Sequence, residues 1–283
     1  MDIDAGLVKK LREACGAGIM DCKMALNEAQ GDMDEAIKFL RTKGLAAAAK
    51  KAHRTASDGV VVVVGDEREM VILELNCETD FVARNPEFTA FADVLARQAL
   101  ASGGADAAAL KSQPFTGDPA HTVEEAISQK VATIGENIVL SRLERVAAGA
   151  GNRLNSYIHG GGKIGVVVEG NAAVSPEALH DVALHVAAAE PRFVNRAEVT
   201  QDVLDAEHEI ALKQAMEQGK PEEIAKRIVA GKMEKFFVQE VLFEQAFAKD
   251  PEMSVGQYLK KSGGDTATVL RFVRYRLGEG SDE

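Results

Sequence analysis

The first 43 residues place apolar side chains at the three- and four-residue spacing of a helix. The first such face is formed by Leu7, Val8 and Leu11. A Gly-Ala-Gly break at 16–18 ends this helix, and the spacing then resumes in a second one. Asp32, with a glutamate three positions later, is typical of a third helix start, and Gly44 is typical of its end. The pattern predicts a bundle of three short helices over residues 4–43.

Unbroken apolar runs replace this spacing after a basic, alanine-rich stretch that predicts an exposed helical extension or linker. We place the first domain boundary near residue 55. Residues 59–77 predict two adjacent strands, GVVVVV and EMVILELNC, joined by a tight turn. A helix that packs on this sheet is expected from Asn85-Pro86 onward, because proline suits the first turn of a helix. A further helix and strand follow, and this first core unit closes near residue 147.

The rest of the chain repeats the theme of strand and helix. Two strands flank a glycine cluster in NSYIHGGGKIGVVVEGN, and a helix begins at Ser175-Pro176. Residues 198–248 are helical and charged, except around Gly219 and Pro221, and they predict a protruding helical hairpin. A short helix and a final strand then return to the sheet. The sequence thus predicts an α+β fold in which two related core units follow the helical bundle. The predicted domains are residues 1–55, 56–147 and 148–283.

The charge of the chain argues against nucleic acid as a direct ligand. Its formal net charge is −11 at pH 7, whereas a protein that neutralises phosphates carries a basic surface. No stretch reaches the roughly 20 apolar residues that span a bilayer, and MDIDAGLVKK lacks the order of a signal peptide. We therefore expect a cytoplasmic protein without membrane contact. Cys15, Cys22 and Cys77 have no close pairing and predict neither a disulfide framework nor a zinc site.

Two motifs that could carry ligand chemistry fail on their context. Residues 160–165, GGGKIG, match the spacing of a dinucleotide-binding loop, but a strand follows where a helix N-terminus is required. A glycine-rich hairpin explains this stretch better, and His159 beside it is a candidate contact residue. His180 and His185 are five positions apart and do not share the face that a zinc site on one helix requires. We predict no cofactor and no metal.

The stretch CETDF at 77–81 is open to three interpretations. Glu78 and Asp80 could act as an acid–base pair, but no nucleophile, second proton carrier or metal is visible nearby. Thr79 and Asp80 also favour a turn, in which Phe81 belongs to the core. In the third interpretation the turn protrudes toward a partner, and Phe81 acts as an apolar wedge.

Ile19 and Met20 follow the Gly-Ala-Gly break and precede Asp21, which is the predicted N-cap of the second helix. On this turn they either staple the core or contact another protein. An adaptable methionine flanked by Arg12 and Lys23 suits a protein contact. The local pattern leaves both interpretations open.

Several long motifs resemble the bacterial elongation factor Ts family. LREACGAGIMDCKMAL is similar to the family's N-terminal signature, and ELNCETDFVARN is similar to its core signature. The stretches IGENI, HVAAAEPRFV, GKPEEIAKRIVAGKMEKF and SVGQYLK follow in the family's order. The similarity extends over nearly the whole chain. Met24 departs from it, because the family commonly has a lysine at that position.

This resemblance implies a guanine-nucleotide exchange factor that acts on elongation factor Tu and is not an enzyme. It implies that the N-terminal bundle is a ubiquitin-associated-like domain that docks on the partner's nucleotide-binding domain. The matching contact positions there are Arg12, Ile19 and Met20. The segment associated with magnesium dislocation is Thr79, Asp80, Phe81 and Val82. The region around His159 is expected to face another domain of the partner, and the hairpin at 198–248 is a candidate for self-association.

Two other classes of function stay open from the residues themselves. The three-helix domain could capture some other protein while the core serves as a scaffold without exchange activity. An enzyme that depends on Glu78 or Asp80 is the third class. Release of GDP from elongation factor Tu separates the first two classes, and turnover of a small molecule would identify the third.

Overall fold

The computed structural model describes residues 3–104, 106–217 and 222–279, which form two compact units. The first unit contains the described residues of 1–64, 71–145 and 276–283, and the second those of 65–70 and 146–275. The helices are α1 (Ala5–Cys15), α2 (Ile19–Glu28), α3 (Met33–Lys51), α4 (Asp80–Ala83), α5 (Pro86–Ser102), α6 (Ala107–Lys111), α7 (Val123–Ile134), α8 (Pro176–Ala189), α9 (Gln201–Glu217), α10 (Glu222–Glu240) and α11 (Val255–Gly263). The strands are β1 (Asp58–Gly65), β2 (Glu69–Cys77), β3 (Pro114–Phe115), β4 (Asp118–Thr122), β5 (Val139–Ala147), β6 (Arg153–His159), β7 (Ile164–Gly170), β8 (Ala246–Phe247), β9 (Asp250–Ser254) and β10 (Val269–Arg276). The predicted α+β class is confirmed.

The three N-terminal helices pack around an apolar cluster of their own, as predicted. Its fully buried large side chains are Leu11, Cys22 and Leu26. Asp32 caps α3 as expected, because its side chain accepts a hydrogen bond of 2.9 Å from the backbone N–H of Glu35. Such a cap satisfies a donor that the first helical turn leaves unpaired. Gly16 ends α1 in the left-handed conformation, with φ 68°, which glycine adopts without steric cost.

The prediction that the third helix ends at Gly44 is wrong, because α3 continues to Lys51. Gly44 is buried in mid-helix, and a Cβ atom built on it would lie 3.6 Å from the Cβ of Ala132 in α7. The glycine therefore lies at a contact between two helices instead of ending one. Alanines follow it and favour continuation of the helix. An ion pair between Arg41 and Glu125 also joins α3 to α7.

The first three-stranded sheet has the order β1-β2-β5, so the two strands predicted at 59–77 are neighbours. β2 is the central strand, and nearly all its side chains are buried. The predicted helix after it is α5, which begins with Asn85 as N-cap and Pro86 in its first turn. Phe88 and Leu95 of α5 are completely buried in the core against this sheet. The end of β2 therefore projects from a well-packed layer.

The second three-stranded sheet has the order β10-β7-β6. β6 and β7 are antiparallel, with His159 opposite Ile164 across the turn. The three glycines at 160–162 have φ values of 62°, 68° and 97°, a region that side chains with a Cβ rarely adopt. The predicted glycine-rich hairpin is therefore confirmed. The helix expected at Ser175-Pro176 is α8, for which Ser175 is the N-cap.

The predicted helical hairpin is present as α9 and α10. Its buried contacts are formed by Ala211, Ala215, Ala225 and Val229. The predicted turn residues Gly219 and Pro221 lie outside the described residues. The expectation of continuous helix up to residue 248 is wrong, because α10 stops at Glu240 and the β8–β9 hairpin follows. This hairpin buries Phe247 in the core of the second unit, which a further turn of exposed helix would not do.

A short hairpin followed by a capped helix occurs once in each unit, with matching sequence. PFTGDPAHTVEE at 114–125 and AFAKDPEMSVGQ at 246–257 share phenylalanine, aspartate-proline and valine at equivalent positions. In both hairpins the phenylalanine pairs with the aspartate three positions later. The capping boxes that follow are Thr122 with Glu125 and Ser254 with Gln257. The relation between the two core units, which residue identity alone did not prove, is therefore visible in this element.

The division into domains 1–55, 56–147 and 148–283 stays a prediction. The boundary near residue 55 is supported by separate apolar clusters in the N-terminal bundle and around the first sheet. It also lies just after the end of α3. We therefore retain the N-terminal bundle as a proposed domain that contacts its own core unit through α3.

Replacement of Gly44 tests how much room the contact between α3 and α7 leaves for a side chain. Gly44→Ala should raise the free energy of unfolding by up to about 1 kcal/mol, because alanine favours a helix and fits at van der Waals distance. Gly44→Leu should lower it, because the larger side chain forces α3 away from α7. Urea unfolding followed by circular dichroism measures both changes. Gly231→Ala in α10, where nothing lies within 4 Å, reports the propensity gain alone. Destabilisation by Gly44→Ala would contradict this account.

Candidate partner-binding surfaces

The ring of Phe81 points into solvent from the one-turn helix α4. Phe81 is 84% exposed, which is the highest exposure among the large apolar residues described. The side chain of Thr79 caps α4 by accepting a hydrogen bond from the N–H of Val82. Val82 and Ala83, by contrast, pack against the core of the first unit. The short helix thus buries one side and presents Phe81 on the other, which excludes the interpretation of Phe81 as a core residue.

The base of this turn is held by a cross-brace, which we define as the hydrogen bonds between residues 78–79 and residues 136–137. Glu136 Oε2 accepts from the backbone N–H groups of Glu78 and Thr79 at 3.1 and 3.0 Å. Glu136 Oε1 accepts from the Thr79 hydroxyl at 2.7 Å. In the opposite direction, Glu78 Oε1 accepts from the backbone N–H of Asn137 at 2.7 Å. Hydrogen bonds therefore run in both directions between the end of β2 and the segment just before β5.

The cross-brace also organises the charges around the turn. The hydrogen bond from Asn137 lowers the pKa of Glu78, and Arg54, 3.4 Å away, adds to this effect. Burial, followed by the nearby charge of Glu136, raises the pKa of the Cys77 thiol to about 12. Cys77 is thus a neutral buried group beneath the turn, with its Sγ 3.2 Å from the Thr79 carbonyl oxygen. Cys77 therefore offers no thiolate nucleophile at this turn.

Sequence reasoning missed Glu136 and Asn137 as parts of this site. Their motif, IGENI, was recognised without a role for its polar residues. The available signal was their position, because they directly follow Gly135, the left-handed C-cap of α7, and precede β5. Polar residues at such a junction commonly bond to neighbouring backbone. Which backbone they reach depends on the order of strands, so the partner could not be read from the local pattern.

Ile19 and Met20 form the start of α2 and are 55% and 74% exposed. The prediction of Asp21 as N-cap is wrong, because Gly18 occupies that position and Asp21 lies in the first turn. The helix therefore begins three residues earlier than expected. Its first turn presents Ile19 and Met20 outward, because the buried face of α2 is formed by Cys22 and later residues. These two residues do not staple the core.

A shallow groove of about 430 Å³ lies beside Ile19. Its apolar lining includes Ile3, Val8 and Ile19. Its cationic rim is formed by Lys9, Arg12 and Lys23. The structure thus places the predicted contact residue Arg12 next to the exposed start of α2. An apolar floor with a basic rim suits a partner surface that is apolar and acidic.

His159 lies at the exposed end of β6, next to the glycine turn. Its Nδ1 atom is 3.1 Å from the hydroxyl of Tyr157. The ring of Tyr157 in turn contacts the ring of His180, with a distance of 5.7 Å between the ring centroids. His180 Nδ1 donates to the carbonyl of Ser156 at 3.1 Å. These aromatic side chains give the β6–β7 hairpin an ordered, exposed face. His159 belongs to the second unit.

His185, one of the two histidines of α8, is held by hydrogen bonds within the protein. His185 is buried, and burial lowers its pKa. Its Nδ1 accepts from the N–H of Ala248 at 3.1 Å, so its Nε2 carries the proton and donates to Gln245 Oε1 at 2.9 Å. Within residues 3–104, 106–217 and 222–279 there is no group of three or more histidine, cysteine or acidic side chains that could hold a metal ion. No helix in the same described ranges is long and apolar enough to cross a membrane.

Comparison with known proteins agrees with the resemblance in the motifs. The model of the family described as elongation factor TS matches residues 78–279. Elongation factor Ts of Clostridium kluyveri is 43% identical over 290 residues, which cover 99% of this chain and 94% of the relative. Elongation factor Ts of Syntrophotalea carbinolica is 44% identical over 293 residues, with coverage of 100% and 95%. That of Trichlorobacter lovleyi is 43% identical over 296 residues, with the same coverage. The relatives therefore span the N-terminal bundle, which the family model does not.

The ionised form of Glu78 should contribute to stability in a defined pH range. Because its folded-state pKa lies below its ordinary value of 4.5, this contribution is present above pH 4.5 and is lost as the pH falls through the lowered value. Glu78→Gln should therefore be less stable than the wild type at pH 7, and the difference should shrink at pH 3 to 4. Urea unfolding at both pH values measures it. A difference that stays constant with pH would show that the charge is not what the cross-brace uses.

Proposed function

The chain belongs to the elongation factor Ts family, whose members exchange the guanine nucleotide of elongation factor Tu, and we propose that it opens the partner's magnesium and phosphate site with Phe81. The chain is thus a nucleotide exchange factor, and no covalent step is required of it. The segment Thr79 to Val82 is the proposed tip. The observation that carries this proposal is the 84% exposure of the Phe81 ring on a turn whose base is braced.

The proposed mechanism uses the strict geometry that magnesium requires. Mg²⁺ needs near-octahedral oxygen ligands at about 2.0–2.1 Å and usually links protein oxygens to substrate phosphates. Insertion of an aromatic ring beside such a site would displace the elements that carry those oxygens. Asp80, which pairs with Arg84 at 3.0 Å here, would help to hold the displaced arrangement. Loss of the magnesium ligands would lower nucleotide affinity, so that GDP leaves and GTP can bind.

The N-terminal bundle is the proposed docking element. Arg12, Ile19 and Met20 are all exposed, and the first two line the groove at the start of α2. We propose that this groove binds the nucleotide-binding domain of elongation factor Tu. The exposed end of the β6–β7 hairpin, with His159, is proposed as a second contact with another domain of the partner. The two contacts use different units of the chain, so the docking is distributed.

Distributed docking follows from the energy that one ring can supply. Burial of one phenylalanine is worth about 1.5–3 kcal/mol, which corresponds to about a 10- to 150-fold change in an equilibrium. The remaining contacts must supply the energy that keeps the ring in place. The coupling is reciprocal, because a factor that weakens nucleotide binding is itself bound more weakly when nucleotide returns. Release of the factor after GTP binding follows from this balance.

Self-association through the helical hairpin is a further proposal. Within the described residues, α9 and α10 leave several large apolar side chains exposed. They are Ile210, Met216, Ile224 and Val238. A second copy of the hairpin would cover such side chains by helix packing. We also propose a cytoplasmic location, which the sequence led us to expect and which agrees with a role in translation.

Removal of the Phe81 ring tests the proposed tip. Phe81→Ala should slow GDP release from elongation factor Tu at saturating exchange factor by about 10- to 150-fold, because the wedge is lost. Release of a fluorescent GDP analogue, followed at several magnesium concentrations, measures the rate. Val94→Ala, which truncates a partly exposed residue of α5, is the control and should leave the rate unchanged. Release that Phe81→Ala leaves as fast as with the wild type would contradict the role of the ring. A wild-type chain that binds elongation factor Tu without accelerating GDP release would favour the alternative of a binding scaffold without exchange activity.

Truncation of Met20 tests the docking element separately. Met20→Ala should raise the concentration of factor that gives half-maximal exchange on the order of tenfold. The maximal rate should be retained, because docking energy is lost and the tip is intact. Met24→Ala, on the same helix and 38% exposed, is the matched control. Equal effects of the two substitutions would contradict a specific contact at the start of α2.

A further inference from the structure

The hydroxyl of Thr79 takes part in two hydrogen bonds at once. It donates its proton to Glu136 Oε1 at 2.7 Å and accepts from the N–H of Val82 at 3.4 Å. Because the hydroxyl has a single proton, donation to Glu136 leaves a lone pair directed to the first turn of α4. Glu136 therefore determines the rotation of the group that caps the helix bearing Phe81.

Glu136 also holds the backbone from which that helix starts. Its Oε2 accepts from two successive backbone N–H groups, those of Glu78 and Thr79. Bonds from donors to a charged acceptor are stronger than those between neutral groups. A carboxylate that takes two successive backbone donors orients the chain where β2 ends. The direction in which α4 leaves the sheet is then set before any partner is present.

We infer that Glu136 is a positioning residue for exchange, which keeps the tip at Thr79 to Val82 in the conformation that presents Phe81. The inference rests on the proposed role of Phe81. A tip that is ordered in advance loses little conformational entropy on binding, and more of the burial energy of the ring remains for displacing the magnesium ligands. Without Glu136, the ring would still be exposed but would reach the partner's site less often in the productive orientation.

The test is a double-mutant cycle on the full chain. Glu136→Ala should lower the maximal rate of GDP release on the order of tenfold, with the half-maximal concentration nearly unchanged. In the Phe81→Ala background, Glu136→Ala should have almost no further effect, because no ring remains to be positioned. Glu136→Gln, which can keep an acceptor for the two backbone N–H groups, should recover part of the rate. Amide hydrogen exchange at Val82 should be faster in Glu136→Ala than in the wild type.

Glu125→Ala is the matched control. Glu125 also accepts from a capping threonine segment, at the Thr122 N–H, and lies in the same unit. Any loss it causes should be equal with and without the Phe81 ring. Circular dichroism and thermal unfolding verify that each variant is folded. If Glu136→Ala is unfolded, the same cycle with Glu136→Gln should give a smaller coupling of the same sign.

The outcomes separate this inference from the function on which it rests. If Phe81→Ala leaves GDP release unchanged, the proposed function of the ring is wrong. If Phe81→Ala slows release but the substitution at Glu136 has the same effect in both backgrounds, or none, then positioning by Glu136 is overturned and the role of Phe81 stands. Coupling between the two positions supports both.

Discussion

The ring of Phe81 is exposed to water, so it contributes almost no burial free energy to folding. Other interactions must therefore hold the backbone beneath it. In this protein that task falls to the cross-brace between residues 78–79 and 136–137. Each side supplies one carboxylate, and each carboxylate accepts backbone N–H groups from the other side. The arrangement depends on β2 and β5 being neighbours in the sheet. The proposed tip is thus a product of sheet topology as much as of its own sequence.

The three proposed contact surfaces share one physical design. Each consists of a few exposed side chains at the end of a regular element whose other face is well packed. Phe81 stands on a helix whose Val82 is half-buried against the core, Met20 on a helix that buries Cys22, and His159 at the end of a paired strand. Contact residues on rigid supports lose little entropy when a partner binds. Such a design suits the proposed insertion of Phe81 into the partner, because a support that gave way would reduce the displacement the ring can cause.

Short sequence motifs predicted helices and turns correctly where the motif is typical of a single local structure. Asn85-Pro86 and Ser175-Pro176 both begin helices, and the glycine cluster at 160–162 forms a hairpin turn. Two predictions were wrong because the residue type occurs in two structural roles, glycine at helix ends and at helix contacts, and aspartate at an N-cap and in the first helical turn. Gly44 was interpreted as a helix end but lies inside α3 where that helix contacts α7, a distinction that depends on a helix some 80 residues away in the chain. Asp21 suits an N-cap, yet Gly18, three positions earlier, takes that place.

The sequence by itself determined the α+β class, the order of the long helices and of the strands in the two larger sheets, and the family, because periodicity, capping residues and long motifs are properties of neighbouring residues. It did not determine the two short hairpins, β3–β4 and β8–β9. The exposure of Phe81, Ile19 and Met20 was decided only by the tertiary structure. Each of these residues fits a core or a surface equally well by its local pattern, and the choice depends on what other elements pack beside it. The role of Glu136 is of the same kind, since a carboxylate acquires its partners only when β5 is placed next to β2.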